Sequence, residues 1–139
     1  MMRTQPILNS IETSRRTTIA TRENPRINRD YLISLKNIRP FNFAKDGESS
    51  DLEILIRYVP DRLICDSKLI GAYFDLLSDQ AFSGLEEIAN SIADDFGNEL
   101  IPRWISVDLS LSVHGILHTA HVEDKQPLWK NTMLLHCPA

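Results

Sequence analysis

Ile105, Val107, Leu109, Leu111 and Val113 alternate with Ser106, Asp108, Ser110, Ser112 and His114. Successive side chains of a strand point to opposite faces, so this stretch has one aliphatic face and one polar face. It belongs in an antiparallel sheet with one face packed and the other meeting water or a second subunit. The packing partner is legible too. Leu85, Ile88, Ala89, Ile92, Ala93 and Phe96 recur at i, i+3, i+4 and i+7, the apolar stripe of a helix. Ser83-Gly84-Leu85-Glu86 has the form of a capping box before it, and Gly97 is expected to close it.

The remaining elements follow from the same periodicities. Tyr31, Ile33 and Leu35 alternate with Leu32, Ser34 and Lys36, giving a first strand at about 30–36. Arg39-Pro40 to Ser50 reads as a loop, with Asp46-Gly47 as its turn signal. A second strand places Leu52, Ile54, Ile56 and Tyr58 on one face, and Pro60 ends it. Asp66 is expected to cap a helix over about 67–78, with Leu69, Ala72, Tyr73, Leu76 and Leu77 inward. Gly115 turns the chain into a fourth strand, Ile116–Val122. The order β-β-α-α-β-β makes an α+β fold, an antiparallel sheet with two helices on one face. Its two open edges invite edge-to-edge pairing into a ring or barrel.

A chain of 139 residues with 42% hydrophobic and 24% charged residues suits one globular domain. No apolar run approaches the ~18 residues of a spanning helix, and no signal-peptide core is visible. Two cysteines, Cys65 and Cys137, make neither a disulfide framework nor a metal spacing, so a reducing, cytoplasmic setting is expected. Residues 1–29 carry six arginines against Glu12 and Glu23, a balance of +4. The whole chain is −4, which leaves −8 for residues 30–139. The first 29 residues therefore read as a flexible basic arm, a solvated tail or partner-wrapping segment, with an organelle transit segment and a nucleic-acid-contacting arm as alternatives; residues 30–122 read as the domain, and 123–139 as an irregular tail. Trp129 and Met133 to Leu135 are candidate docking residues of that tail.

Several short motifs carry a resemblance. Asn24-Pro25-Arg26 is followed by Asp30-Tyr31-Leu32, then Ile56-Arg57-Tyr58-Val59-Pro60-Asp61, then Asp66-Ser67-Lys68 before a helix. The series resembles the nitrile reductases that reduce 7-cyano-7-deazaguanine with NADPH in queuosine biosynthesis, whose second and third motifs read Ile-Ser-Tyr-(Ile/Val)-Pro-Asp and Glu-Ser-Lys-Ser-Leu-Lys-Leu-Tyr. It covers roughly Asn24 to Gly115. It implies the tunnelling fold, shared with GTP cyclohydrolase I, pterin synthases and urate oxidase, in which subunits join into barrels and bind purines or pterins at their interfaces.

The departures fall on the chemistry. The family's Cys-Pro-x-Thr-Gly-x-Pro-Asp loop corresponds to Phe43-Ala44-Lys45-Asp46-Gly47-Glu48-Ser49-Ser50, so Phe43 stands where the nucleophilic cysteine belongs. A phenyl ring cannot form a thioimide. Ser50 replaces the acid, with Asp51 one residue away, and no shift recovers the cysteine. Cys65 precedes a helix start that could activate a thiol, or it is a small apolar side chain at a strand end.

The resemblance implies that Ser67 and Lys68 contact cofactor phosphate, although Leu69 and Gly71 replace the family's second Ser and second Lys. His114 aligns with the Arg of a phosphate-contacting Arg-Gly-Gly turn. Glu86 aligns with the base-anchoring glutamate, Glu87 is the fallback, and Leu85 replaces the adjacent proton-donating His. Either carboxylate can accept two hydrogen bonds from the N–H edge of a guanine-like or pterin-like base.

His114, His118 and His121 do not read as a zinc site, because Gly115 interrupts the strand and a three-residue offset puts the last two on opposite faces. The expectation is thus a nitrile-reductase-like tunnelling-fold protein without thioimide chemistry: a homo-oligomeric binding or structural subunit, with NADPH implied only by the resemblance. The alternatives are an active enzyme of this superfamily using other residues, such as the histidines, and a pure assembly module.

Overall fold

The computed structural model describes residues 14–42, 49–80 and 82–136. Phe43 to Glu48, which contain the position of the missing cysteine, and Cys137 lie outside the described residues. The main sheet has four antiparallel strands in the order β2-β3-β5-β6: β2 Ile33–Asn42, β3 Ser49–Val59, β5 Trp104–Val113 and β6 Ile116–Lys125. Two helices, α1 Gly71–Asp79 and α2 Leu85–Leu100, cover one face. A small second sheet pairs β1 Thr21–Glu23 with β4 Leu63–Cys65. The expected α+β arrangement is present.

The core lies between sheet and helices. Leu52, Ile54, Ile56 and Tyr58 of β3 and Ile105, Val107, Leu109 and Leu111 of β5 meet Tyr73, Phe74 and Leu77 of α1 and Leu85, Ile88, Ala89, Ile92, Phe96 and Leu100 of α2. Each fully buried aliphatic side chain of this set stabilises the fold by about 1.5–3 kcal/mol. The β3–β5 register, with Ile56 opposite Val107, brings the aliphatic positions of both central strands to the same face.

Element ends differ from the sequence reading for identifiable reasons. β2 runs through Pro40, where a loop was expected; β2 is an edge strand, and an edge position tolerates the missing N–H. Residues 66–70 form a turn in which Asp66 Oδ1 accepts from the Lys68 N–H (3.0 Å), so α1 begins at Gly71 rather than 67. Gly97 does not close α2. Leu100 extends the apolar stripe by one more turn and is buried, and Ile101 takes the left-handed cap (φ 45°) before Pro102.

The arm expected to be free through residue 29 is packed from residue 14 onward. A helical turn at 14–17 presents Arg15 to α2, where its Nε lies 2.5 Å and its Nη2 3.0 Å from the Asp95 carboxylate. Arg16 Nε (2.9 Å) and the Tyr73 hydroxyl (2.6 Å) also donate to Asp95, which is fully buried. An arginine counted in sequence as surface charge is here the counter-ion of a buried acid, which would otherwise be very costly.

The tail is ordered as well. β6 continues to Lys125, past the expected end at Val122, and a 3-10 turn spans Thr132–His136. Trp129 stacks on Trp104 with ring centroids 6.5 Å apart, and Leu134 and Leu135 pack against the same cluster while Met133 stays exposed. The Trp129 indole N–H donates to Asp30 Oδ2 (2.9 Å), and Arg103 pairs with Asp30 Oδ1 (2.7 Å). This second cluster covers one end of the otherwise open sheet face.

Candidate functional site

The first turn of α2 separates the two glutamates expected to anchor a base. Glu87 reaches back past the cap: its Oε1 accepts from the Ser83 backbone N–H (2.8 Å) and hydroxyl (3.2 Å). The capping box expected of Ser83 and Glu86 is not formed, because Gly84 rather than Ser83 occupies the cap position and no side chain caps the helix. Glu86 takes no part in capping. Its side chain is 69% exposed and turns toward β6, where His118 Nε2 lies 2.8 Å from Oε2. Its own backbone N–H, first, and then His118 hold the Glu86 carboxyl below the usual carboxylate range. Glu86 is thus an ionised acceptor at a helix N-terminus, where negative charge is favoured.

His118 reaches Glu86 because of strand phase. It pairs with Leu111, a core residue of β5, so it points to the helix-covered side of the sheet. Sequence reasoning weighed His118 as a metal ligand and among the histidines of an alternative active enzyme, not as a partner of Glu86. The missed signal was the alternation His118, Ala120, Val122, which puts this histidine in register with packed positions.

The other expected site residues are placed apart from this pair. Ser67 and Lys68 are exposed on the turn between β4 and α1. His114 and Gly115 form the two-residue turn of the β5–β6 hairpin, both with positive φ (53° and 80°), as that turn type requires. At ~3.3 Å per residue, the tip lies roughly 10 Å along the strand from His118. Among the described residues no hydrogen bond or ion pair joins Ser67, Lys68 or His114 to Glu86.

Cys65 is buried in β4, and its backbone N–H donates to the Tyr58 hydroxyl (2.9 Å). Burial, with a smaller contribution from Asp66, pushes the thiol up to about 11, so it stays protonated near neutral pH.

The open face carries its own polar rows. His121 sits between Asp108 Oδ1 (2.6 Å) and Glu123 Oε1 (3.1 Å), and the Trp104 indole N–H donates to Glu123 Oε2 (3.1 Å). The hydrogen bond that His121 donates to Glu123, foremost, and the Asp108 carboxylate raise the His121 pKa against the opposing effect of burial. Beside it runs a shallow groove of about 390 Å³, lined on its polar side by Lys36, Glu53, Asp108, Ser110 and Thr119. None of the expected site residues lines this groove. Among the described residues no three His, Cys, Asp or Glu side chains could hold a metal ion together, and no helix is long and apolar enough to cross a membrane.

No family model matches the chain. It is 31% identical over 101 residues to the NADPH-dependent 7-cyano-7-deazaguanine reductase of Prochlorococcus marinus (strain NATL2A), covering 69% of each protein. It is 33% identical over 97 residues to the protein of the same name from Thermomicrobium roseum, covering 69% of this chain and 75% of that one. The apo crystal structure of the archaeosine synthase QueF-Like superposes with a TM-score of 0.53 at 17% identity, over 68% of this chain and 94% of that one. The last likeness bears on the fold alone, and the fold is the tunnelling fold. Sheet order, helix pair and sequence identity converge: the chain belongs to the 7-cyano-7-deazaguanine reductase family.

Proposed function

We propose that this protein is a binding subunit of the family, which has given up covalent nitrile chemistry and keeps a site for a guanine-like or pterin-like base at Glu86. The observation that carries the reading is the state of Cys65: buried, protonated and on a strand remote in sequence from the reactive loop. With Phe43 at the nucleophile's aligned position, the described chain offers no thiolate to add to a nitrile. Glu86, not Glu87, is the anchor of this reading, because Glu87 is occupied by the Ser83 donors. An exposed, ionised carboxylate suits the paired N–H donors of such a base.

NADPH fits these residues poorly. Lys68 is one cation where the resemblance implies two, with exposed Leu69 and Gly71 in the neighbouring positions. The reading accordingly contains no reduction step. Assembly is part of it. Among the described residues β2 and β6 each present an unpaired edge, and Ile116 and Leu117 of β6 are exposed. Pairing β2 of one copy with β6 of the next would satisfy both edges and bring a neighbouring chain beside Glu86 and His118.

The test is a thermal-shift titration of the purified protein with 7-cyano-7-deazaguanine, guanine, a pterin and NADPH. A ligand at 100 times its Kd stabilises by roughly 2.7 kcal/mol, a readily visible rise in melting temperature. A rise with a base that Glu86→Ala abolishes is expected. NADPH-dependent turnover of 7-cyano-7-deazaguanine would overturn the reading. Absence of any shift would turn it into a pure assembly module. One observation favours an active enzyme instead, the His121 imidazole held between two carboxylates. That reading requires an activity lost on His121→Ala.

A further inference from the structure

We propose that His118 is a positioning residue, which holds the Glu86 carboxylate in the geometry that receives the N–H edge of a base. The inference rests on Glu86 being the base anchor, as set out above. Three observations support it. Glu86 serves no capping purpose, since Glu87 takes both Ser83 donors. On an exposed three-bond stem it would otherwise sample many rotamers, all but one of which must be lost when a ligand binds. The partner that fixes it is itself fixed. His118 stands on a strand in register with the buried Leu111, so its ring is aimed by the sheet rather than by a loop.

The acceptor count then matches a base. A carboxylate offers about four lone-pair sites. His118 Nε2 uses one of them, at 2.8 Å from Oε2, and the Glu86 backbone N–H uses another. Two remain, the number that two adjacent N–H donors of a guanine-like edge require. The hydrogen bond also sets the tautomer: a neutral His118 donates through Nε2–H and leaves Nδ1 as an acceptor. Leu85, the neighbour of Glu86 on the helix, is buried and apolar and contributes no polar group here.

The test is calorimetric titration of the full-length protein with 7-cyano-7-deazaguanine and with guanine, using wild type, Glu86→Ala, His118→Ala and His118→Gln. His118 and Glu86 are exposed, and an exposed pair adds little to stability, so melting temperatures should stay at the wild-type value. Freeing one rotamer-rich side chain should weaken binding by about two- to tenfold in His118→Ala. His118→Gln, which keeps an N–H donor, should recover most of that loss; a purely steric role would not give this rescue. Unchanged affinity in His118→Ala, or failure of Gln to rescue, overturns the inference while leaving Glu86 as anchor. Absence of binding by wild type overturns both readings.

Discussion

Asp95 and Glu86 stand on the same helix, nine residues apart, and have opposite fates. Asp95 is fully buried and receives four donors from Arg15, Arg16 and Tyr73, which use up its acceptor sites. Glu86 is mostly exposed, bonded to His118 and its own backbone, and retains unused acceptors. The difference shows how one helix carries both a structural acid and an available one. Burial obliges a carboxylate to be saturated from within the chain, whereas exposure leaves it free for something else.

The largest effect should come from the buried acid. Asp95→Ala removes the buried carboxylate that Arg15, Arg16 and Tyr73 share and should cost about 3–5 kcal/mol. Urea unfolding would measure it, and a loss under about 1 kcal/mol would break the contrast. Tyr73→Phe removes one donor to a charged acceptor and should cost about 1.5 kcal/mol in the same assay. Its hydroxyl pKa is raised well above the ordinary value, by burial first and by Asp95 second, so it remains a donor throughout the neutral range.

Asp30 is an intermediate case, with its side chain 21% exposed. Burial pulls its carboxyl up, but hydrogen bonds from Trp129, Arg103 and Asn131 outweigh that and hold it below the usual aspartate range. A carboxyl lowered on folding contributes stability that is fully present above the unfolded value and lost as pH falls through the folded one. The tail should therefore loosen as pH falls below the usual aspartate range, with a change in Trp129 fluorescence that Asp30→Asn makes independent of pH. Glu87→Ala should cost about 0.5–1 kcal/mol through the lost hydrogen bonds from Ser83. Glu86→Ala should alter stability by less than about 0.5 kcal/mol yet abolish base binding, the sharpest form of the contrast.

Which parts of this were legible in sequence depends on how local their causes are. The two-faced β5 and the stripe of α2 were readable because period and polarity coincide over many residues. β1 and β4 were not, since three-residue strands exist only through each other: Arg22 pairs with Ile64 across the fold. Strand β2 outran its expectation because Pro40 signals a break everywhere except at an edge. At the site, the candidacy of Glu86 was visible, but its release from the cap depended on a one-residue shift that Gly84 decides. Arg15 looked like solvated charge because nothing nearby in sequence announces a buried acid 80 residues away.

That last separation has a consequence in time. Arg15 must wait for a partner that is translated 80 residues later. At about 5–20 residues per second, the delay is roughly 4–16 s. During that interval the N-terminal segment cannot be latched, and β1 cannot pair until β4 has emerged. The latch thus cannot close before α2 has been made, and a nascent chain arrested before Asp95 should expose residues 14–24 to any protease or chaperone that meets it.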